Sequence, residues 1–158
     1  MSSRAYVGLG ANLGADPSAT LTKAALRLAA LPGSHVAALS SVWLSAPVDA
    51  GGPDFLNAVV ALDTTLSPIE LLDALQAIEL AHGRERLYRN APRTLDLDLL
   101  LYDELTLDTP RLTLPHPRLG ERAFVLRPLL EIAPELVHLA GGKGWQSQRI
   151  ERLGPLSL

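Results

Sequence analysis

The chain has 158 residues, 47% of them hydrophobic, with no cysteine and a formal net charge of −3. That length and apolar content suit one domain with a proper core, and the missing cysteine excludes disulfides, thiolate metal sites and cysteine nucleophiles together. The negative balance argues against wholesale nucleic-acid binding, which normally needs a basic surface to displace counterions.

The N-terminus enters a strand without a signal peptide, and no apolar run approaches the length of a membrane span. A single cytoplasmic domain over residues 1–158, with no membrane partner and acting as a monomer, is the expectation. The basic groups are unevenly placed. Of the 14, only Lys23 and Lys143 are lysine, and eight of the 12 arginines fall between Arg84 and Arg127. Guanidinium forks suit bidentate phosphate recognition, so a small phosphorylated ligand fits better than a polymer.

In chain order, Ala5 to Leu9 reads as a short strand running into a glycine-rich stretch, Gly8 to Gly14. That stretch lacks the Gly-Lys-Ser/Thr ending of a phosphate loop, so its glycines are read as supplying unusual backbone dihedrals. Asp16 and Pro17 predict a helix start, with Leu21, Ala24, Leu28 and Leu31 along one side and Pro32-Gly33 after its end. A strand from about Val36 to Leu44 follows, then a Gly/Pro-rich loop over 45–54, a candidate mobile lip. Phe55 to Leu62 is the next strand, and Asn57 within it must find hydrogen-bond partners if buried. An amide there can match the donor and acceptor edge of a heterocycle.

Ser67-Pro68-Ile69-Glu70 is a capping box that starts a helix burying Leu71, Leu72, Leu75 and Ile78, with Gln76 and Glu79 one turn apart on a neighbouring face. Arg84, Arg86, Arg89 and Arg93 then lead into the most informative stretch, Thr94 to Tyr102. Leu95, Leu97, Leu99 and Leu101 alternate there with Thr94, Asp96, Asp98 and Leu100, the period of a half-buried strand. On a strand the two aspartates share a face, their α-carbons about 6.5 Å apart, whereas a helix would split them. Such a pair suits either a sheet face open to water or a divalent cation that leaves its other positions to water and phosphate. Leu105 to Leu107 suggests a short edge strand, prolines bracket His116, and Glu121 to Ile132 reads as a last helix. The stretch after Lys143 carries only a weak helical pattern.

This order, β-α-β-β-α-β, predicts an α+β fold of the ferredoxin-like plan: an antiparallel sheet with the helices packed on one face, plus a C-terminal extension. The other face would remain available for the carboxylates and the arginines.

The residues that carry a family resemblance run almost end to end: Gly8-x-Gly10-x-Asn12, Phe55-Leu56-Asn57-Ala58, Gln76-x-x-Glu79, Pro92-Arg-Thr-Leu-Asp-Leu-Asp98 and Leu114-Pro-His116. On these motifs the chain resembles the 6-hydroxymethyl-7,8-dihydropterin pyrophosphokinases of folate biosynthesis. The resemblance implies transfer of the β,γ-pyrophosphoryl unit of ATP, the co-substrate, to the pterin hydroxymethyl group, releasing AMP. It implies two Mg²⁺ ions on Asp96 and Asp98, with Arg84 and Arg93 joining the two aspartates in catalysis. ATP would be bound by Gln76, Glu79, Arg84, Arg86, Arg93, His116 and Arg122. Ser45, Val48, Phe55, Asn57 and Phe124 would bind the pterin, the two phenylalanines from either side of its ring. Two other classes stay open on the residues alone: a non-catalytic ferredoxin-like module that binds a nucleotide or RNA through the arginine loop, and a metal-dependent phosphohydrolase using the same aspartates.

Overall fold

A computed structural model describes residues 2–12, 17–45, 55–81, 95–141 and 144–156. Its main sheet has six strands: β1 (Ser3–Asn12), β2 (Ser34–Leu39), β3 (Ser41–Ser45), β4 (Phe55–Thr64), β5 (Leu95–Tyr102) and, after a short hairpin of β6 (Leu107–Asp108) and β7 (Thr113–Leu114), β8 (Ile150–Pro155). The order is β5-β1-β4-β3-β8, with β2 also on β4, and every pairing is antiparallel. Helices α1 (Pro17–Ala29), α2 (Pro68–Ala81) and α3 (Ala123–Ile132) complete the architecture. The fold is α+β, as expected. Among the described residues no helix is long and apolar enough to cross a membrane.

Apolar periodicity decides which face each helix covers. Leu21, Ala24 and Leu28 of α1 and Leu71, Leu75 and Ile78 of α2 recur at helical spacing and are buried. They close over alternate strand residues, among them Val7, Leu9, Ala58, Val60, Leu95 and Leu97. Proline opens α1 where its missing N–H is no loss. The capping box opens α2 as predicted: Ser67 N–H donates to Glu70 Oε1 (2.9 Å) and Glu70 N–H to Ser67 Oγ (3.2 Å).

The opposite face is not left wholly open. Val125 and Leu129 of α3 cover part of it, against Tyr6, Val59, Ala61, Leu100 and Leu101. The part that α3 leaves uncovered holds Gly8, Gly10, Asn57, Asp96 and Asp98.

Several expected elements differ in detail. The strand expected from about Val36 to Leu44 is two strands broken at Ser40. Its buried hydroxyl accepts from Val59 N–H (2.8 Å) and donates to Ser41 O (2.7 Å), so a side chain enters the ladder there. In β5 the alternation stops at a bulge: Val7 faces Leu99 but Tyr6 faces Leu101. Leu100 and Leu101 therefore both join the α3 side, and Tyr102 returns to the other, where its hydroxyl donates to Leu66 O (2.5 Å). The expected edge strand at Leu105 to Leu107 is instead β6, paired with β7 in a separate hairpin. The last helix begins at Ala123, after a 3-10 turn over Leu119–Glu121. The C-terminal stretch contributes a strand, β8, where only a weak helical pattern is legible.

Candidate active site

The uncovered sheet face is floored by glycine. Gly10 of the central β1 lies opposite Asn57 on β4 and Asp96 on β5, and Gly8 lies opposite Val59 and Asp98. Residues directly opposite in a sheet point to the same side, so Asn57, Gly10 and Asp96 form one row and Val59, Gly8 and Asp98 the next. Gly8 and Gly10 are not among the glycines with positive φ, which corrects the expectation that they serve unusual dihedrals. They serve space. A Cβ built on Gly10 would stand 3.6 Å from Asn57 Oδ1 and 4.0 Å from the Asp96 Cβ; one on Gly8 would stand 3.4 Å from Leu100 Cδ1.

Asn57 is buried at 4% exposure. Its Nδ2 donates to Ser45 Oγ (2.6 Å) and, more weakly, to Phe55 O (3.4 Å). Ser45, equally buried at the end of β3, thereby fixes the amide's orientation. Oδ1 has no hydrogen-bond partner among the described residues. A buried acceptor left unpaired costs about 1–3 kcal/mol, a cost that a bound donor would remove. Phe55, half-buried, begins β4 with the same strand parity as Asn57 and Val59.

On β5, Asp96 is half-buried and Asp98 exposed. Between them, Leu97 N–H donates to Oε2 of the buried Glu79 on α2 (2.9 Å). Glu79 thus reaches round the edge of β5 and satisfies a donor that the outermost strand leaves open. Gln76, a turn earlier, is exposed.

His116 is tied to the same strand by its backbone N–H, which donates to Leu100 O (3.0 Å). Its Nδ1 accepts from Arg118 N–H (3.2 Å), leaving Nε2 as the protonated nitrogen of the neutral ring. Burial holds the imidazole below its usual pKa; the charge of Asp98 opposes this, and those of Arg122 and Arg118 add to the lowering. His116, Asp98 and Arg122 are therefore electrostatic neighbours. Arg122 precedes α3 in extended conformation (φ −118°, ψ 114°), and its guanidinium carbon lies 5.3 Å from the Phe124 ring centroid. Phe124 is half-buried against the cluster that contains Val59 and Leu100, on the uncovered side of the sheet.

The structure thus brings Ser45, Asn57, Phe55, Asp96, Asp98, His116, Arg122 and Phe124 to one side of the sheet, with Glu79 at its edge. Val48, Arg84, Arg86 and Arg93 lie outside the described residues, as do Asp16, the loop at 45–54 apart from Ser45, and the whole of 84–93. Sequence patterns missed two supporting residues. Glu131 on α3 accepts from Ser41 N–H (2.8 Å), Ser41 Oγ (2.5 Å) and Trp43 Nε1 (3.0 Å), clamping α3 to β3. Gln148 brackets Arg122 through the backbone on either side of it. Isolated polar residues of this kind carry no signal until the chain is folded.

Solved structures with this fold include the Plasmodium falciparum HPPK-DHPS wild type, at TM-score 0.67 over 83% of this chain and 13% identity, and the same protein with STZ-DHP, at 0.63 and 13% over 83%. The chain spans only 41% and 40% of those chains, and the likeness is one of fold. Sequence likeness is much closer. The 2-amino-4-hydroxy-6-hydroxymethyldihydropteridine pyrophosphokinase of Pseudomonas aeruginosa is 50% identical over 137 residues, covering 86% of this chain and 84% of that one. The protein of the same name from Methylorubrum extorquens is 49% identical over 135 residues, covering 85% of each. Fold and relatives together define an enzyme of the diphosphotransferase class. Residues 6–134 match the profile of the 7,8-dihydro-6-hydroxymethylpterin-pyrophosphokinase family, and the chain belongs to that family, whose activity lies in folate biosynthesis.

Proposed function

We propose that this enzyme transfers the β,γ-pyrophosphoryl group of ATP to the hydroxymethyl oxygen of 6-hydroxymethyl-7,8-dihydropterin, in a reaction that depends on Mg²⁺. The observation that carries the proposal is the paired row on the sheet: a buried amide whose oxygen has no partner among the described residues on one side of a glycine floor, two carboxylates on the other. The substrates have those two characters. A pterin presents ring N–H groups to an acceptor, and a triphosphate needs its charge balanced.

Asn57 Oδ1 accepts from the pterin ring while Ser45 holds the amide in that orientation. Phe55 and Phe124 offer flat apolar faces to the two sides of the heterocycle, with Val48 at its edge. Asp96 and Asp98 hold the cations. Their donor set fits, because two carboxylates on one face of β5 leave a Mg²⁺ ion most of its positions for water and phosphate oxygens. When bound, two such ions supply Lewis acidity at the triphosphate and neutralise charge on the departing oxygen.

Glu79 keeps β5 in place under the aspartates, with Gln76 on the same helix toward the nucleotide. His116, neutral with its proton on Nε2, donates to a phosphate oxygen, and Arg122 pairs with the phosphates beside it. Arg84, Arg86 and Arg93 pair with the triphosphate oxygens. In the chemical step the hydroxymethyl oxygen attacks the β-phosphorus, the bond from that phosphorus to the α,β-bridging oxygen breaks, AMP departs with the electron pair, and the hydroxyl proton is lost to solvent. Positioning and charge do most of the work.

Asp96→Asn and Asp98→Asn test this directly. Each should keep the wild-type circular dichroism spectrum and lose AMP formation by about 10²- to 10³-fold, as expected when an electrostatic group aimed at the transition state is removed. A variant that turns over at the wild-type rate refutes the metal assignment.

A further inference from the structure

Beyond the family match at residues 6–134, the chain folds back on the site. Trp145, 8% exposed, packs with Ala123 and Leu126 of α3. Its indole N–H donates to Ala140 O (3.2 Å) and the Arg127 guanidinium carbon lies 5.0 Å from its ring centroid. The short turn Trp145–Ser147 is anchored in this way at the start of α3, and the next residue is Gln148.

Gln148 Oε1 accepts from Ala123 N–H (2.9 Å), and Nε2 donates to Glu121 O (2.8 Å). A carboxamide can accept through one atom and donate through another at the same time. Here it does both to the peptide groups on either side of Arg122; the later one is also held at Arg122 O by Val125 N–H (3.1 Å) and Leu126 N–H (2.9 Å), so the earlier one depends on Gln148. Ala123 N–H is one of the first-turn donors that a helix cannot satisfy from within, and no side chain of the N-cap residue meets it. Arg122 itself forms no backbone bond to this amide; it is the residue held between.

We infer that Gln148 is a positioning residue for the nucleotide-side arginine: by locking the peptides before and after Arg122 it fixes where the guanidinium stands, over Phe124 and beside His116. The inference rests on the function proposed above. Without this bracket the extended dihedrals of Arg122 are held from one side only, and a rotation there would swing the side chain away from the phosphates. The same terminal segment supports the pterin side, since β8 pairs with β3 and sets Ile150 opposite Ser45.

The test is a double-mutant cycle read in kinetics. Gln148→Ala is expected to raise the KM for ATP about 10-fold, the effect of losing one well-placed charged contact, with the KM for pterin changed less than 2-fold. In an Arg122→Ala background the same substitution should leave the ATP KM unchanged, because the group it positions is gone. A merely structural role would give equal effects in both backgrounds, or a general loss in both substrates, and either result overturns the inference. Gln148→Glu keeps the acceptor for Ala123 N–H but loses the donor, so an intermediate ATP KM is expected; it carries the test if Gln148→Ala does not fold. Wild-type protein that makes no AMP at all would overturn the functional reading, and this inference with it.

Discussion

Gly10→Ala separates a site role from a backbone role. Gly10 lies within β1 with no positive φ, so alanine meets no dihedral penalty. Its methyl would rest 3.6 Å from Asn57 Oδ1 and 4.0 Å from the Asp96 Cβ, both ordinary contacts. The strand should even gain, since glycine inside a strand is worse than alanine by about 0.5–1 kcal/mol. For a protein of this size that corresponds to a thermal midpoint raised by about 1–4 °C. Binding should move the other way. The methyl occupies the floor beside the Asn57 Oδ1, an acceptor with no partner among the described residues, and a blocked hydrogen bond to such a group costs about 1–3 kcal/mol, or roughly 5- to 150-fold in affinity. The assay is calorimetric titration of the pterin in the presence of a non-hydrolysable ATP analogue and Mg²⁺, beside a thermal scan. Unchanged pterin affinity, or a midpoint lowered by several degrees, would refute the glycine floor.

Gly33 is the contrasting case. It has φ +62° after α1, and a Cβ there would come within 2.0 Å of Thr65 Oγ1, so Gly33→Ala should lose about 1–3 kcal/mol and lower the thermal midpoint while kcat at low temperature stays as it was. Glu131→Ala strands the Ser41 and Trp43 donors and should cost about 1–3 kcal/mol, measured by urea unfolding. Burial raises the Glu131 pKa, but the bonds from Ser41 and Trp43 and the charge of Arg152 outweigh it and hold the group below the usual carboxylate value. A depressed pKa adds stability above the unfolded-state value of about 4.5 and forfeits it as pH falls through the folded one, so the gap between wild type and Glu131→Gln should be widest near neutrality and close in acid. A gap that widens in acid would mean the sign is wrong.

The residues of the candidate site were more legible than the sheet that carries them. Asp96 and Asp98 stood out because carboxylates are disfavoured in leucine-rich strands, and the capping box because its two residues are reciprocal. The flip at Leu99 to Leu101 was hidden, since three consecutive leucines show no change of face when a bulge reverses them. β8 was hidden for a related reason. Its residues are mostly exposed and have no clean alternation, so its place comes from pairing with β3 and not from its own pattern. Gly8 and Gly10 were visible as glycines, but their use as a floor depends on the register that sets Asn57 and Asp96 on either side. Gln148 and Glu131 act through backbone groups distant in sequence, and no spacing rule reports such contacts.

Following the label from [β-³²P]ATP is the most direct measurement. With Mg²⁺ and 6-hydroxymethyl-7,8-dihydropterin present, the label should move onto the pterin with one AMP released for each pterin modified, and neither should happen when metal or pterin is withheld. Label appearing as ADP or inorganic pyrophosphate, or released without pterin, would contradict pyrophosphoryl transfer on this sheet face.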